Sequence, residues 1–285
     1  MHEFRTDLAD ERCEICKTNL SKGIKNDTEQ ISSNITVTRV EILNEEASKI
    51  LQKDIGNYVT INIKDVNYIS NEDLEEMVKC FSKELKNIIK FDGSILVVGL
   101  GNAATTADSI GPKVTQNLKI TRHIIKYEPD LLPKNTREMC AIAPGVLGTT
   151  GIETQEIIKG IIEKVKVAGI IVIDALASNN VSRLMKTIQI ADTGITPGAG
   201  VSNRRKEISK KTMNIPVIAV GVPTVVSTET IVSDTLKMLN IEKDYKTIKN
   251  VLEDSKFDLV VMPKEIDELV DNMKEIISKG INNLT

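Results

Sequence analysis

Ile95-Leu96-Val97-Val98-Gly99-Leu100-Gly101-Asn102 is an apolar run closed by a glycine-rich loop, with Asp108 a few residues beyond. A continuous β-branched and aliphatic run of that length reads as a strand buried on both faces, the habit of parallel sheets. Gly169-Ile170-Ile171-Val172-Ile173 is a second run of the same kind, closed by Asp174. In an open α/β sheet the C-terminal ends of the strands converge on the site crevice, so two carboxylates 66 residues apart in sequence can meet there. Carboxylates that share a site have their pKa values pushed apart, leaving one to take a proton from water and the other to donate one. Peptide hydrolysis needs both transfers.

Outward from these runs, strands and helices alternate. Val217-Ile218-Ala219-Val220 is a further strong strand, and 139–142 and 121–126 also read as strands. Helices are expected over 109–118, 154–166 and 228–239, and in a last segment with Pro263 in its first turn and Ile266, Leu269, Val270, Met273, Ile276 and Ile277 at helical spacing. Before Ile95, a helix capped at Asn71 follows two alternating segments, Ile35–Ile42 and Tyr58–Ile63, and a short helix over 45–53. Residues 1–33 read as a polar arm. The expected fold class is α/β: three layers, a mostly parallel central sheet with helices on both faces, and a small β-rich extension.

With 285 residues the chain can bury a large core, built on Ile, Val and Leu because Trp is absent and aromatics make up 3%. Lys and Arg total 37 against 40 Asp and Glu, a net charge of −3, which gives no sequence-wide attraction for nucleic acid. No stretch approaches membrane-spanning length and the N-terminus has no signal-peptide core, so a cytoplasmic protein is expected. Cys13 and Cys16 form one CxxC without a second ligand pair, and the histidines are only His2 and His123. Incidental thiols are the simpler reading, with a metal or redox role as the alternative.

The loop Gly99-Leu100-Gly101-Asn102 lacks the Lys-Ser/Thr of a P-loop and the third glycine of a dinucleotide site. It is either a tight turn or a backbone surface for substrate, to which Thr106 and Asp108 add polar groups. Asp108 and Asp174 each also have a capping role open to them. Two further loops carry Gly145 and Gly148, and Gly194 followed by Arg204-Arg205-Lys206; they are ordinary connections or clamps for an extended peptide. His123 reads as structural. Elbow, zinc-helix and cysteine-nucleophile motifs are absent.

Leu96–Asn102, Asp108-Ser109-Ile110-Gly111-Pro112, Ala141–Val146, Ile173–Ser178, Thr187-Ile188-Gln189-Ile190, Asp192–Ile195 and Gly221–Val226 together resemble the germination protease family, the spore endopeptidases that degrade small acid-soluble spore proteins. The resemblance runs along nearly the whole chain. It implies a fold akin to hydrogenase maturation proteases, catalysis by Asp108 and Asp174, no cofactor and no metal. It further implies a homotetramer in the spore core, made as a zymogen, with small acid-soluble spore proteins as partners and neither nucleic acid nor membrane. Thr6-Asp7-Leu8-Ala9-Asp10-Glu11 matches the family's preference for an acidic residue before an apolar-Ala-x-Glu run. The implied cut lies between Asp7 and Leu8, making 1–7 a propeptide and 8–285 a single protease domain with room for a small subdomain. The family's Thr-Pro-Asp reads Thr106-Ala107-Asp108 here, which drops a φ-restricting proline and keeps the acid. The alternatives are a metal-assisted maturation protease and a non-catalytic binder of acidic peptides.

Overall fold

The computed structural model describes residues 6–16, 23–66, 70–198, 205–239 and 259–285. Among them the strands are β1 (Ile24–Gln30), β2 (Ile35–Ile42), β3 (Gly56–Ile63), β4 (Ile95–Gly99), β5 (Met139–Ile142), β6 (Gly169–Ser178), β7 (Thr187–Ala191), β8 (Val217–Ser227) and β9 (Val260–Val261). The helices are α1 (Ala9–Ile15), α2 (Glu45–Leu51), α3 (Asn71–Ile88), α4 (Ile110–Gln116), α5 (Arg122–Tyr127), α6 (Leu147–Thr150), α7 (Thr154–Val165), α8 (Lys210–Met213), α9 (Thr228–Met238) and α10 (Ile266–Asn282).

All nine strands form one sheet in the order β1-β2-β3-β7-β8-β6-β4-β5, with β9 beside β8. This corrects the expectation of a mostly parallel sheet. Five strand pairs are antiparallel and three, β4–β5, β4–β6 and β6–β8, are parallel. The cause lies in the connections. β1 and β2 are joined by four residues, and β6 and β7 by eight (179–186). A parallel crossover needs a dozen or more residues, so these links enforce reversal of direction. The β-rich segment around Ile35–Ile63 is therefore continuous with the main sheet, joined to it through β7.

The three layers are as expected. Alternation along each strand sends Val97, Ile171, Ile173, Ile218, Val220, Ile188 and Ile190 to one face, against Met77, Phe81 and Leu85 of α3, Ile110 of α4 and Met273 and Ile277 of α10. Ser70, rather than Asn71, caps α3, its side chain accepting from the Asp73 N–H. The other face carries two separate helix groups. One packs α7 and α8 over Leu96, Val98, Ile170 and Val172. The second packs Ala9 and Cys13 of α1 and Ala47 and Leu51 of α2 over Val40, Ile42 and Tyr58.

Four further local expectations fail. Residues 122–127 are a helix with His123 exposed, not a strand; Thr121 ties that turn to Arg137 and Met139, and tertiary context overrides the β-branched composition. Asp174 does not close its strand, since β6 runs on to Ser178. Pro263 precedes the last helix by three residues rather than lying in its first turn. The N-terminal segment is no loose polar arm either, because Leu8, Ala9 and Cys13 are core residues and 24–30 is an edge strand. Burial pushes the Cys13 thiol up to about 11, while the Cys16 sulfur donates to the Ile50 carbonyl at 3.7 Å; neither is in a disulfide.

Candidate functional site

A cleft of about 960 Å³ opens on the face that carries α1, α2 and α7, in the gap between the two helix groups. Sheet register builds its floor. Asp174 of β6 and Gln189 of β7 both pair with Gly221 of β8, and all three turn away from the α3–α10 face. Gly221 keeps that floor low: a Cβ there would stand 2.3 Å from Leu176 Cδ1.

The loop after β4 delivers the second acid. The Leu100 N–H donates to the carbonyl of Ile173 at 2.8 Å, fixing the loop beside the residue that precedes Asp174. Gly101 then turns with φ +105, where any Cβ would lie 2.0 Å from the Asp108 carbonyl oxygen. This is a close approach that only glycine permits. The Asn102 N–H donates to Asp108 Oδ2 at 2.8 Å and orients the carboxylate on its short 3₁₀ turn.

Electrostatics separate the two acids. Burial pushes Asp174 well above the usual carboxylate range, and the negative charges of Asp108 and Asp7 raise it further against one N–H from Ala175. Burial also raises Asp108, partly offset by the Asn102 N–H. Two carboxylates raised to unequal degrees, Asp174 the more strongly, suit a division into proton acceptor and proton donor.

The N-terminal segment lies in this cleft. The Asp7 N–H donates to the Ala177 carbonyl at 3.0 Å and the Ala177 N–H donates to Asp7 Oδ2 at 2.9 Å, a strand-like clamp onto the end of β6. The Asp7 carbonyl accepts from Lys53 Nζ at 2.7 Å and Gln189 Nε2 at 3.0 Å. Leu8 and Ala9 are fully buried, the Ala9 N–H donating to Gln189 Oε1 at 2.7 Å. Asp10 pairs with Arg183 at 3.0 Å. Glu11 accepts from Ser178 Oγ (2.6 Å), the Asn179 N–H (2.9 Å) and Thr6 Oγ1. Burial nonetheless keeps its pKa raised.

Of the residues singled out from sequence, Asp7, Gly101, Asn102, Asp108, Gly145, Gly148, Asp174, Gly194 and Arg205 line the cleft. Gly99, Thr106 and Leu8 do not line it. Gly99 lets β4 touch α4, a Cβ there falling 2.2 Å from the Gly111 carbonyl, and Thr106 Oγ1 donates to Asp267 at 3.0 Å. Arg204 lies outside the described residues. No local pattern marks Lys53; Gln189 and Ser178 lie in the Thr187–Ile190 and Ile173–Ser178 motifs, but all three acquire their roles only through long-range contacts. Among the described residues no group of three or more His, Cys, Asp or Glu is placed to hold a metal ion, and no helix is long and apolar enough to cross a membrane.

These features define an α/β protein with an acidic cleft across the seam of a mixed sheet, holding its own N-terminal segment. The family profile of germination proteases matches residues 2–245. Germination protease of Clostridium perfringens (strain SM101) is 43% identical, over 99% of this chain and 95% of that one. Those of Clostridium acetobutylicum and Bacillus cereus are 43% and 36% identical, each over 99% of this chain and over 95% and 93% of their own. The chain belongs to the germination protease family. It is accordingly a zymogen endopeptidase that hydrolyses small acid-soluble spore proteins during germination, as a homotetramer in the cytoplasm of the spore core. A NiFe hydrogenase maturation protease from Thermococcus kodakarensis is similar at 17% identity and TM-score 0.32, over 60% of this chain and 99% of that one, a level that adds nothing to the assignment.

Proposed function

We propose that Asp108 and Asp174 are the catalytic carboxylates of this endopeptidase. Residues 1–7 are the propeptide, cut from the single protease domain 8–285 between Asp7 and Leu8. The observation that carries this reading is the meeting of both acids and Asp7, with its carbonyl group, in one cleft. Asp108, with one oxygen held by the Asn102 N–H, keeps the other for water and acts as the base. Asp174, the more strongly raised acid, carries the shared proton and delivers it to the leaving amine.

The contacts of the arm also supply a reading of specificity. The Ala177 N–H receives an acidic side chain before the cut, buried space beyond it takes Leu8 and Ala9, and Ser178 with Asn179 takes the glutamate at position 11. An acidic-apolar-Ala-x-Glu run in a spore protein would dock in the same way once residues 7–11 have vacated these contacts, 8–11 as the new N-terminus of the protease domain. Gly145, Gly148, Gly194 and Arg205 form the outer walls against which such a chain lies.

The test is to express wild type, Asp108→Asn and Asp174→Asn, follow N-terminal processing by intact mass, and measure cleavage of a peptide carrying the run. Both rates should fall by several orders of magnitude in each variant. Two folded variants with wild-type rates would remove the assignment.

A further inference from the structure

We propose that Lys53 and Gln189 are catalytic residues of the same reaction, the pair of donors that receives the negative charge developing on the scissile carbonyl oxygen. The inference rests on the reading of Asp7–Leu8 as the bond that is cut.

The geometry is that of an oxyanion site seen with its substrate in place. Two donors from different parts of the fold converge on the Asp7 carbonyl oxygen, at 2.7 Å from Lys53 and 3.0 Å from Gln189. Oxyanion donors act at about 2.7–3.1 Å from the oxygen of the tetrahedral intermediate, which forms close to the carbonyl oxygen these two already hold. Neither donor is free to wander. Gln189 projects from β7, and because its Oε1 accepts from the Ala9 N–H at 2.7 Å, its amide nitrogen must point toward the Asp7 carbonyl. Lys53 follows Gln52, whose left-handed conformation (φ 52) ends α2 and turns the chain back over the cleft. The carbonyl is equally fixed, since Asp7 is clamped to Ala177 through both its N–H and its side chain.

The chemistry favours a role in the transition state over a purely structural one. Lys53 as a residue is half-buried, its ammonium the more enclosed end, and desolvation there pushes its pKa down. The charges of Asp7, Asp54 and Glu11 offset part of that desolvation, but the hydrogen bond of the ammonium in the resting state is to a neutral carbonyl. It gains most when that oxygen becomes negative, which is the differential binding that speeds a reaction.

Water attacks the Asp7 carbonyl carbon and loses a proton to Asp108, while the C=O electron pair moves onto the oxygen held by Lys53 and Gln189. The pair then returns to re-form the carbonyl, the C–N bond breaks, and the Leu8 nitrogen takes the proton of Asp174. Asp7 becomes a C-terminal carboxyl group and Leu8 a free amine. Proton exchange with solvent returns the two aspartates to their starting state.

The experiment uses the full chain, under conditions in which wild type processes itself. The first-order rate of conversion and the new N-terminus are read by intact mass for wild type, Lys53→Met, Gln189→Leu and Gln189→Glu, with Asp174→Asn alongside. The expected result is a ~10²–10³-fold slower conversion in each donor variant, with cooperative melting and protected Ala177 amides showing that fold and docking persist. Gln189→Glu keeps shape and the acceptor for Ala9 while losing the donor, so it decides the matter if Lys53→Met does not fold. A folded Lys53→Met or Gln189→Glu converting at the wild-type rate, with Leu8 as the new N-terminus, overturns the donor assignment alone. A wild-type N-terminus elsewhere overturns the cut site and the donors with it, and an active Asp174→Asn separately removes the carboxylate pair.

Discussion

Glu11 lies four residues beyond the proposed cut, and replacing it by Ala tests whether the cleft holds its substrate by that carboxylate. Three donors converge on it: Ser178 Oγ, the Asn179 N–H and Thr6 Oγ1. Hydrogen bonds to charged groups contribute about 1.5–3 kcal/mol each, so the gross loss is large. Two offsets shrink it. Ser178 Oγ also bonds with the carbonyl and N–H of Asn180 and so stays satisfied. Removal of Glu11 also relieves the burial that raises its pKa. What remains is an orphaned Asn179 N–H and a Thr6 hydroxyl without its acceptor, of which the N–H alone costs about 1–3 kcal/mol, or roughly 5- to 150-fold in the docking equilibrium. Hydrogen exchange of the α1 amides should accelerate by that factor, and processing should slow correspondingly under the conditions where wild type converts. Unchanged exchange in α1 together with wild-type conversion would refute the argument, because the carboxylate would then contribute nothing to docking.

Other outcomes follow from the same geometry. Gly101→Ala has no room for its Cβ, 2.0 Å from the Asp108 carbonyl oxygen at φ +105; it should cost about 1–3 kcal/mol in stability and, by displacing Asp108, at least ~10²-fold in peptide cleavage, both readable by melting and a peptide assay. Asp174 has its pKa raised by burial, so its ionisation opposes the folded state. Wild type and Asp174→Asn should therefore melt alike below the ordinary carboxylate range, and the Asn variant should become the more stable as pH rises through and beyond it. Glu11 is shifted in the same direction, so the arm should dock more tightly in mild acid than at neutrality, measured as slower α1 exchange. Cys13, with its thiol pushed up to about 11 inside the α1–α2 core, should react with alkylating reagents far more slowly in the folded chain than in the unfolded one, and Cys13→Ala should still process.

What the sequence made legible were features with a local signature. The apolar runs of β4 and β6, the periodic faces of α3 and α10, and the two acids at the ends of conspicuous hydrophobic segments all announce themselves within a dozen residues. Strand direction does not. The eight residues after β6 look like any loop until their length is weighed against the span of a crossover, and that length forces β7 into antiparallel contact with both β3 and β8. The unbroken aliphatic run stops at Asp174, which reads as the strand's end, whereas Ala175-Leu176-Ala177-Ser178 continue the ladder beyond it. Residues 121–126 carry strand-like composition and fold as a helix under tertiary ties. The cleft's donors were the least visible part. Lys53 sits in an unremarkable polar stretch, and Gln189 matters only because β7 is inserted between two distant strands.

That insertion has a mechanical consequence. The antiparallel and parallel halves of the sheet are sewn together by three residue pairs between β7 and β8, against five between β3 and β7 and nine between β6 and β8. One of the three stitches is Gln189 opposite Gly221, at the cleft itself. A slip of one residue along this seam would swing Gln189 to the far side of the sheet and bring an isoleucine, Ile188 or Ile190, into its place. The narrow join between the two halves and the cleft's polar floor thus share Gln189, and a force that shears the halves would disarm the cleft before unravelling either one.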